Sequence, residues 1–365
     1  MKTLWARLGL VLAVLTLFAA GATPTEAASR RYTQIAAGGQ HACAITAQGK
    51  AYCWGSNEFG QLGSDDATHT RSTTAVAVAE GYRFKSIASS TDTTCGLTSS
   101  GQAYCWGANN DGSLGFFSYS GALGIGDVGI THSDAPRAVV GSLRFKFVSA
   151  GTGFFCGLTT GSKLFCWGSN FGGQLGDGTQ IDRAAPVEVS GNLKYESVTT
   201  ENWGTCAVGK PYAVYCWGYR VERLTPWKFE SESRIVRLEA TEGPACGLTR
   251  GGSLLCFDNN TTFRKIAGAP KYTNLAIGSG EVYTLCGIKK NGSVSCWDDE
   301  DAANPVKLNS SRKFQSLTQG GTYMSSDQFT CGLTRNGVAY CWGENEQGQL
   351  GNGTLDYSSD PVAVQ

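Results

Sequence analysis

The sequence predicts an all-β fold, a seven-bladed β-propeller of four-stranded antiparallel blades. Three observations carry this expectation. The fourteen cysteines fall in seven pairs, each ten residues apart: Cys43 and Cys53, Cys95 and Cys105, Cys156 and Cys166, Cys206 and Cys216, Cys246 and Cys256, Cys286 and Cys296, Cys331 and Cys341. The segments between them read as hairpins, for example CAITAQGKAYCWG, CGLTSSGQAYCWG and CGLTRNGVAYCWG, with a Gly-, Ser- or Asn-rich turn between two short strands. Successive first cysteines lie 52, 61, 50, 40, 40 and 45 residues apart. That period suits a four-stranded unit, and units that cannot bury both faces alone close radially.

Each element of the unit has its own signal. An apolar strand precedes each hairpin, as in YTQIAAG, FKSIASS, FKFVSAG and FQSLTQG. Within the hairpin, pairing Cys43 with Cys53 places Ala44 opposite Tyr52, so a small residue meets a large one at that level. A fourth strand follows several hairpins: PRAVV, PVEVS, PWKFE, PVKLN and, at the end, PVAVQ. The entry strand lacks a preceding Pro-Val segment. The expectation is therefore that the C-terminal strand joins the first blade and leaves no open sheet edge at the seam. The 49 glycines among 365 residues fit a chain of many tight turns.

The N-terminus reads as an address. Lys2 and Arg7 precede the uncharged apolar run from Leu8 to Ala20, and Thr25 and Ala27 are small residues at −3 and −1 of a cut after Ala27. The run is shorter than the roughly 20 residues of a membrane span. The expectation is a signal peptide over 1–27 and a single propeller domain over 28–365, secreted or held in the periplasm or at the cell surface. In that compartment, cysteines facing each other in a hairpin are expected to be oxidised, giving seven disulfides. Free buried thiols and a metal site are the alternatives. Zinc ligands usually come as closely spaced cysteines with histidine, a pattern absent here.

Charge bounds the partners. The 30 basic and 30 acidic residues cancel, from which no strongly basic surface for nucleic acid and no polybasic membrane patch is expected. Neither a cofactor nor a metal is expected. GIGDVG at 124–129 matches G-x-G-x-x-G but lies outside any βαβ unit, and reads better as a displaced Gly-x-Leu-Gly-x-Gly turn. Asp298, Asp299, Glu300 and Asp301 lack the ligand alternation of a calcium loop. His41, His69 and His132 share no motif, and no serine-nucleophile, zinc-protease or paired-carboxylate pattern is present.

After the hairpins come SNEFGQLG at 56–63, SNFGGQLG at 169–176 and ENEQGQLG at 344–351, with ANNDGSLG at 108–115 as a weaker copy. Together with the hairpins, this pattern resembles the regulator of chromosome condensation repeat family, over nearly all of the chain after the leader. YRVERLTP, DNNTTF and DDEDAAN replace the loop in repeats four to six. The resemblance implies a seven-bladed propeller, in agreement with the cysteine count. It also implies several activities. The founding one is nucleotide exchange on a nuclear GTPase bound to chromatin, a partner that an exported, near-neutral chain does not meet. Other members look like pure binding scaffolds, including a secreted bacterial inhibitor of β-lactamases. Paired cysteines in every repeat read as an adaptation to export.

Fold alone does not choose a function. In an antiparallel blade, the loops after strands one and three share one propeller face, and that face carries almost all the variation. Its aromatics are the candidate binding residues: Phe116, Phe117, Tyr119, Phe154, Trp203, Tyr219, Tyr283, Tyr323 and Phe329. Phe59, Phe171 and Phe155 lie nearby, with Phe155 read as core. Trp203 is the one tryptophan after the leader that the repeat does not explain, whereas Trp227 aligns with the outer strand and reads as packing. Aromatics on variable loops suit protein recognition. The expectation is a non-catalytic scaffold for a protein partner, an extracellular enzyme or a surface protein. The alternative is a lectin-like propeller that stacks sugars. No nucleic acid and no membrane insertion after leader cleavage are expected.

Overall fold

The computed structural model describes residues 30–114, 117–200, 202–239, 245–257, 262–277, 285–297, 305–322 and 328–365. Residues 1–27, expected to be a signal peptide, fall outside them. Seven successive four-stranded antiparallel blades cover 32–77, 84–138, 145–188, 195–231, 235–265, 272–307 and 314–363. Their first strands line a central channel of about 840 Å3, to which all seven blades contribute. In blade 1 the strands are Tyr32–Ala37, His41–Thr46, Ala51–Ser56 and Arg71–Ala77. The cysteine-to-cysteine register expected from the hairpins holds in every blade, and each pair forms a disulfide with Cα atoms 4.0–4.1 Å apart.

Ring closure differs from the expectation. The C-terminal strand Ser358–Ala363 pairs with Ala339–Gly343 of its own blade and does not join the first. Arg71–Ala77 already fills the outer position of blade 1. That strand escaped the sequence reading because Ala75 stands where other outer strands carry Pro136, Pro186 and Pro361. The exchange has a use. Proline has no N–H to give, whereas the Ala75 N–H donates to the Gln365 carbonyl oxygen at 3.0 Å across the seam. The Arg30 guanidinium reaches the Ala75 carbonyl at 3.4 Å. Ala75→Pro keeps a residue that equivalent strands accept and deletes only this bond. It should cost about 1 kcal/mol, read as a lower thermal midpoint; an unchanged midpoint would show that the bond contributes nothing to closure.

Neighbouring blades are clasped by the loop after the third strand. In blades 1, 2, 3 and 7 an asparagine is the pivot: Asn57, Asn109, Asn170 and Asn345 each accept, at Oδ1, the N–H of Leu62, Leu123, Leu175 and Leu350. This presents the carbonyl two residues before a left-handed glycine to the next blade's tryptophan. The indoles of Trp106, Trp167, Trp217 and Trp54 donate to the carbonyls of Gln61, Ala122, Gln174 and Gln349 at 2.9–3.1 Å. Gly63, Gly124, Gly176 and Gly351, all at positive φ, lie so close to these indoles that a Cβ would clash. In blade 2 the clasp is Gly121–Gly124, not the copy ending at Gly115. Asn109 and Leu123 are separated by nine more residues than Asn57 and Leu62, and the extra chain is a two-stranded hairpin, Asn110–Leu114 with Phe117–Ser120. The displaced-turn reading of 124–129 thus agrees with the fold. Between blades 4 and 5, where the motif is lost, the outer strands pair directly in parallel, Glu230 with Thr262 and Ser231 with Phe263.

His41 is wholly buried between blades, its Nε2 2.8 Å from Thr94 Oγ1. Burial lowers its pKa to about 4, with a backbone hydrogen bond at Thr91 opposing. Between that value and the ordinary one near 6.5, the unfolded chain binds a proton that the native state refuses. Stability should therefore be flat above pH ~6.5 and fall by about 3 kcal/mol toward pH 4 through this group. Denaturant unfolding across that range tests this: His41→Asn should flatten the slope relative to wild type, and an identical slope in the variant rules the assignment out.

Candidate protein-binding face

The loops after strands one and three share one face, and there the structure gathers three aromatic side chains. Phe171 comes from the clasp loop of blade 3, Trp203 from the first loop of blade 4, and Tyr219 from the short 3-10 turn after blade 4's third strand. Their ring centroids are 5.7–6.1 Å apart, with Trp203 edge-on to both others. Phe171 and Trp203 are half-buried, and Tyr219 is 59% exposed. Gly172 and Gly173 bring the loop against Tyr219 and Leu224, and Gln180 reaches back to the Phe171 carbonyl, next to the exposed Ile181. The result is a rigid aromatic ridge with an apolar border at the junction of blades 3 and 4.

One carboxylate ties this ridge to the blade 2 insertion. Asp182 accepts the Asn170 N–H at one oxygen, at 2.7 Å, and the Ser120 N–H and hydroxyl at the other, at 3.3 and 3.1 Å. Asn57 and Asn109 receive the equivalent support from the carbonyls of Thr70 and Thr131. Asp182 therefore frees a second oxygen for the root of the hairpin. Sequence reasoning missed it, because its role depends on an insertion 62 residues away in the chain.

The other candidate residues divide. Phe117 and Tyr119 lie in the insertion, in register with Leu114 and Asp111. Phe116, Tyr283 and Tyr323 fall outside the described residues. Phe154 and Phe329 are corrections. They are 0% and 1% exposed, because their strands start at these residues and turn both rings into the core. Phe155 is buried as expected. Trp227 lies on the outer strand of blade 4 opposite Cys216, as expected, but its reading as packing is a correction: it is 50% exposed, with the Arg223 guanidinium 4.7 Å from its ring. In the channel wall, burial pushes the Glu239 carboxyl up to about 7, with Arg237 opposing. Among the described residues, no group of three or more His, Cys, Asp or Glu side chains could hold a metal ion, and no helix is long and apolar enough to cross a membrane.

Net neutrality hides a segregation of charge that corrects the expectation drawn from it. Among the described residues between its strands, the loops of this face carry eleven Asp and Glu and one basic residue, Arg220. The hairpin turns and blade-to-blade links of the opposite face, together with Arg30 and Arg31, carry fifteen Lys and Arg and two acids, Glu80 and Glu232. The sequence sum conceals this because the two sets alternate along the chain with every turn.

A disulfide-stapled propeller with asparagine-pivoted clasps and one variable, aromatic-bearing face defines a class of repeat scaffold. Models of the regulator of chromosome condensation (RCC1) repeat match residues 32–61, 84–113, 145–174 and 325–349, and in a second form 48–97 and 162–208. The chain carries RCC1 repeats over these residues. It is 30% identical over 200 residues to the ultraviolet-B receptor UVR8 of Arabidopsis thaliana, covering 43% of this chain and 46% of that protein. It is also 30% identical over 146 residues to the X-linked retinitis pigmentosa GTPase regulator of Homo sapiens, covering 39% and 13%. The chain thus spans less than half the length of these relatives. Among solved structures, Prp20p of Saccharomyces cerevisiae superposes with a TM-score of 0.55 at 18% identity, over 91% of this chain and 76% of that one. The CRINKLY WD40 ectodomain of the receptor kinase ACR4 of Arabidopsis thaliana does so at 0.54 and 21%, over 92% and 99%. At these identities the likeness is one of fold.

Proposed function

We propose that the protein is an exported, non-catalytic scaffold that holds a protein partner on its acidic loop face. The observation that carries this reading is the Phe171, Trp203 and Tyr219 ridge. It is preordered by the blade 3 clasp and joined through Asp182 to the insertion bearing Phe117 and Tyr119. Rigid aromatics bordered by apolar and acidic groups lose little entropy on binding, the property that makes such residues hot spots. Prp20p, described with binding to Gsp1p and histones, supports a binding role for this fold. The ACR4 ectodomain supports a place for it outside the cell. Export rests on the basic and apolar N-terminus, with cleavage after Ala27 leaving 28–365 as one domain, and on seven disulfides that suit an oxidising compartment.

The test is comparative capture. Extracellular and surface proteins retained by the wild-type protein are compared with those retained by Tyr219→Ala and by Tyr219→Ala with Trp203→Ala, after matching melting curves confirm folding. A saturable partner lost by about thirtyfold or more in the double variant is expected. Equal retention by all three proteins refutes this face. Release by free monosaccharide would transfer the ridge to sugar stacking.

A further inference from the structure

The basic face has an order that the recognition ridge does not account for. The residue immediately before the first strand is basic in all seven blades: Arg31, Arg83, Arg144, Lys194, Arg234, Lys271 and Lys313. All seven are exposed. They share one face because the links dock on the preceding hairpin turns, six of them through a backbone hydrogen bond. The N–H groups of Tyr32, Phe84, Phe145, Tyr195, Tyr272 and Phe314 donate to turn carbonyls of the neighbouring blade at 2.8–2.9 Å. Gly49, Gly101, Gly252, Gly292 and Gly337 of those turns lie beneath the Cβ atoms of Arg83, Arg144, Lys271, Lys313 and Arg31. Further cations stand on six of the seven hairpin turns, Lys50 and Arg335 among them.

The repeated feature is charge. Arginine and lysine interchange at the seven positions, although their hydrogen-bond geometries differ. Four of them rest on neutral groups. Arg83 donates to the Tyr82 carbonyl, Arg144 to the Gln102 side-chain oxygen and the Leu143 carbonyl, Lys194 to the Gly161 carbonyl, and Arg234 lies over the Tyr212 ring. These contacts orient the cations without neutralising them.

We infer that this face docks flat on an anionic phospholipid surface and so presents the acidic face, with its aromatic ridge, outward. Charge complementarity and shape carry the inference. The cations encircle a disc and follow no groove, and the Phe171, Trp203 and Tyr219 rings that could stack on bases lie on the opposite face. A planar array of phosphates meets such a ring everywhere at once, whereas a nucleic-acid strand would meet only part of it. The eleven described acids of the far face would be repelled from the same surface, which fixes the orientation. The contact is peripheral and needs no inserted segment.

Cosedimentation of the disulfide-bonded protein with vesicles tests it. Vesicles of phosphatidylcholine containing about one-third phosphatidylglycerol should retain the protein at low salt, and phosphatidylcholine alone should not. Roughly 0.5 M NaCl should release it, because the screening length then falls below the reach of the side chains. The combined variant Arg83→Gln, Arg144→Gln, Lys194→Gln, Lys271→Gln should bind at least about a hundredfold more weakly, at roughly fivefold per charge. The charge-keeping variant Lys194→Arg, Lys271→Arg, Lys313→Arg should bind as wild type, which separates charge from folding. On vesicles, trypsin sites on the basic face should be protected while chymotryptic sites at the exposed Tyr219 and Tyr357 of the acidic face stay open. Equal retention on the two vesicle types, full binding by the four-glutamine variant, or tighter binding to a short DNA duplex than to the anionic vesicles at equal salt would each overturn the inference.

Discussion

Full reduction is expected to unfold the protein. Each disulfide closes a hairpin whose cysteines are ten residues apart. The chain-entropy account assigns about 2.7 kcal/mol to a loop of that length, and engineered cases often deliver less. Even at half that figure, seven bridges together match the roughly 5–15 kcal/mol by which domains of this kind are stable. A reductant without denaturant should act slowly, because most of these sulfurs are buried. The order of loss follows exposure: Cys296 of blade 6 is only partly buried, and Cys256 of blade 5 is 8% exposed, against 0% for Cys43 and Cys53. Timed alkylation and peptide mapping should find blades 5 and 6 opened first, and circular dichroism of the fully reduced protein should show a collapsed thermal transition. A reduced protein that melts within a few degrees of the oxidised one would assign the stability to the clasps and the core instead.

The fold was legible in the sequence because its signals are local and repeat. The spacing of each cysteine pair fixed the hairpin register, and the small residue opposite Tyr52, Tyr104 or Phe165 marked the packing level. What escaped depended on residues far apart in the chain. Ala75 is an ordinary strand residue until Gln365 meets it at the seam. Phe154 and Phe329 read as loop residues because a strand start carries no one-residue signature, and one residue decides whether the ring points inward. The ridge was half legible. Trp203 stood out as unexplained by the repeat, but its meeting with Phe171 and Tyr219 needs the packing of blade 3 on blade 4. The charge segregation was present in the sequence all along, hidden by a sum that ignores which end of a strand a residue occupies.

Trp54→Ala should be the most damaging single substitution, at about 4 kcal/mol for loss of a fully buried indole. The reason lies in how the ring is closed. No strand is exchanged between the last blade and the first, so the seam is held by side chains and by single hydrogen bonds between strands and loops. Trp54 meets the Tyr32 ring of its own blade and belongs to one buried cluster with Phe329, Leu333, Leu350 and Val364 of blade 7. Its indole donates to the Gln349 carbonyl at 2.9 Å, and Gly351 closes over its edge. Trp54→Phe keeps most of the buried ring and drops the N–H, so it should cost less, about 1–3 kcal/mol for the stranded carbonyl. Ala75→Pro acts on the same seam through the Gln365 carbonyl. Once Trp54→Ala has loosened the seam, the second change has less to lose, and the pair should be less than additive. Hydrogen exchange supplies the decisive readout. In the Trp54 variants, amides of blades 1 and 7 should exchange faster while blades 3 and 4, clasped by Trp217 and Gln174, keep their protection. Uniform acceleration around all seven blades would mean that the ring opens as one cooperative unit and has no weak point at its seam.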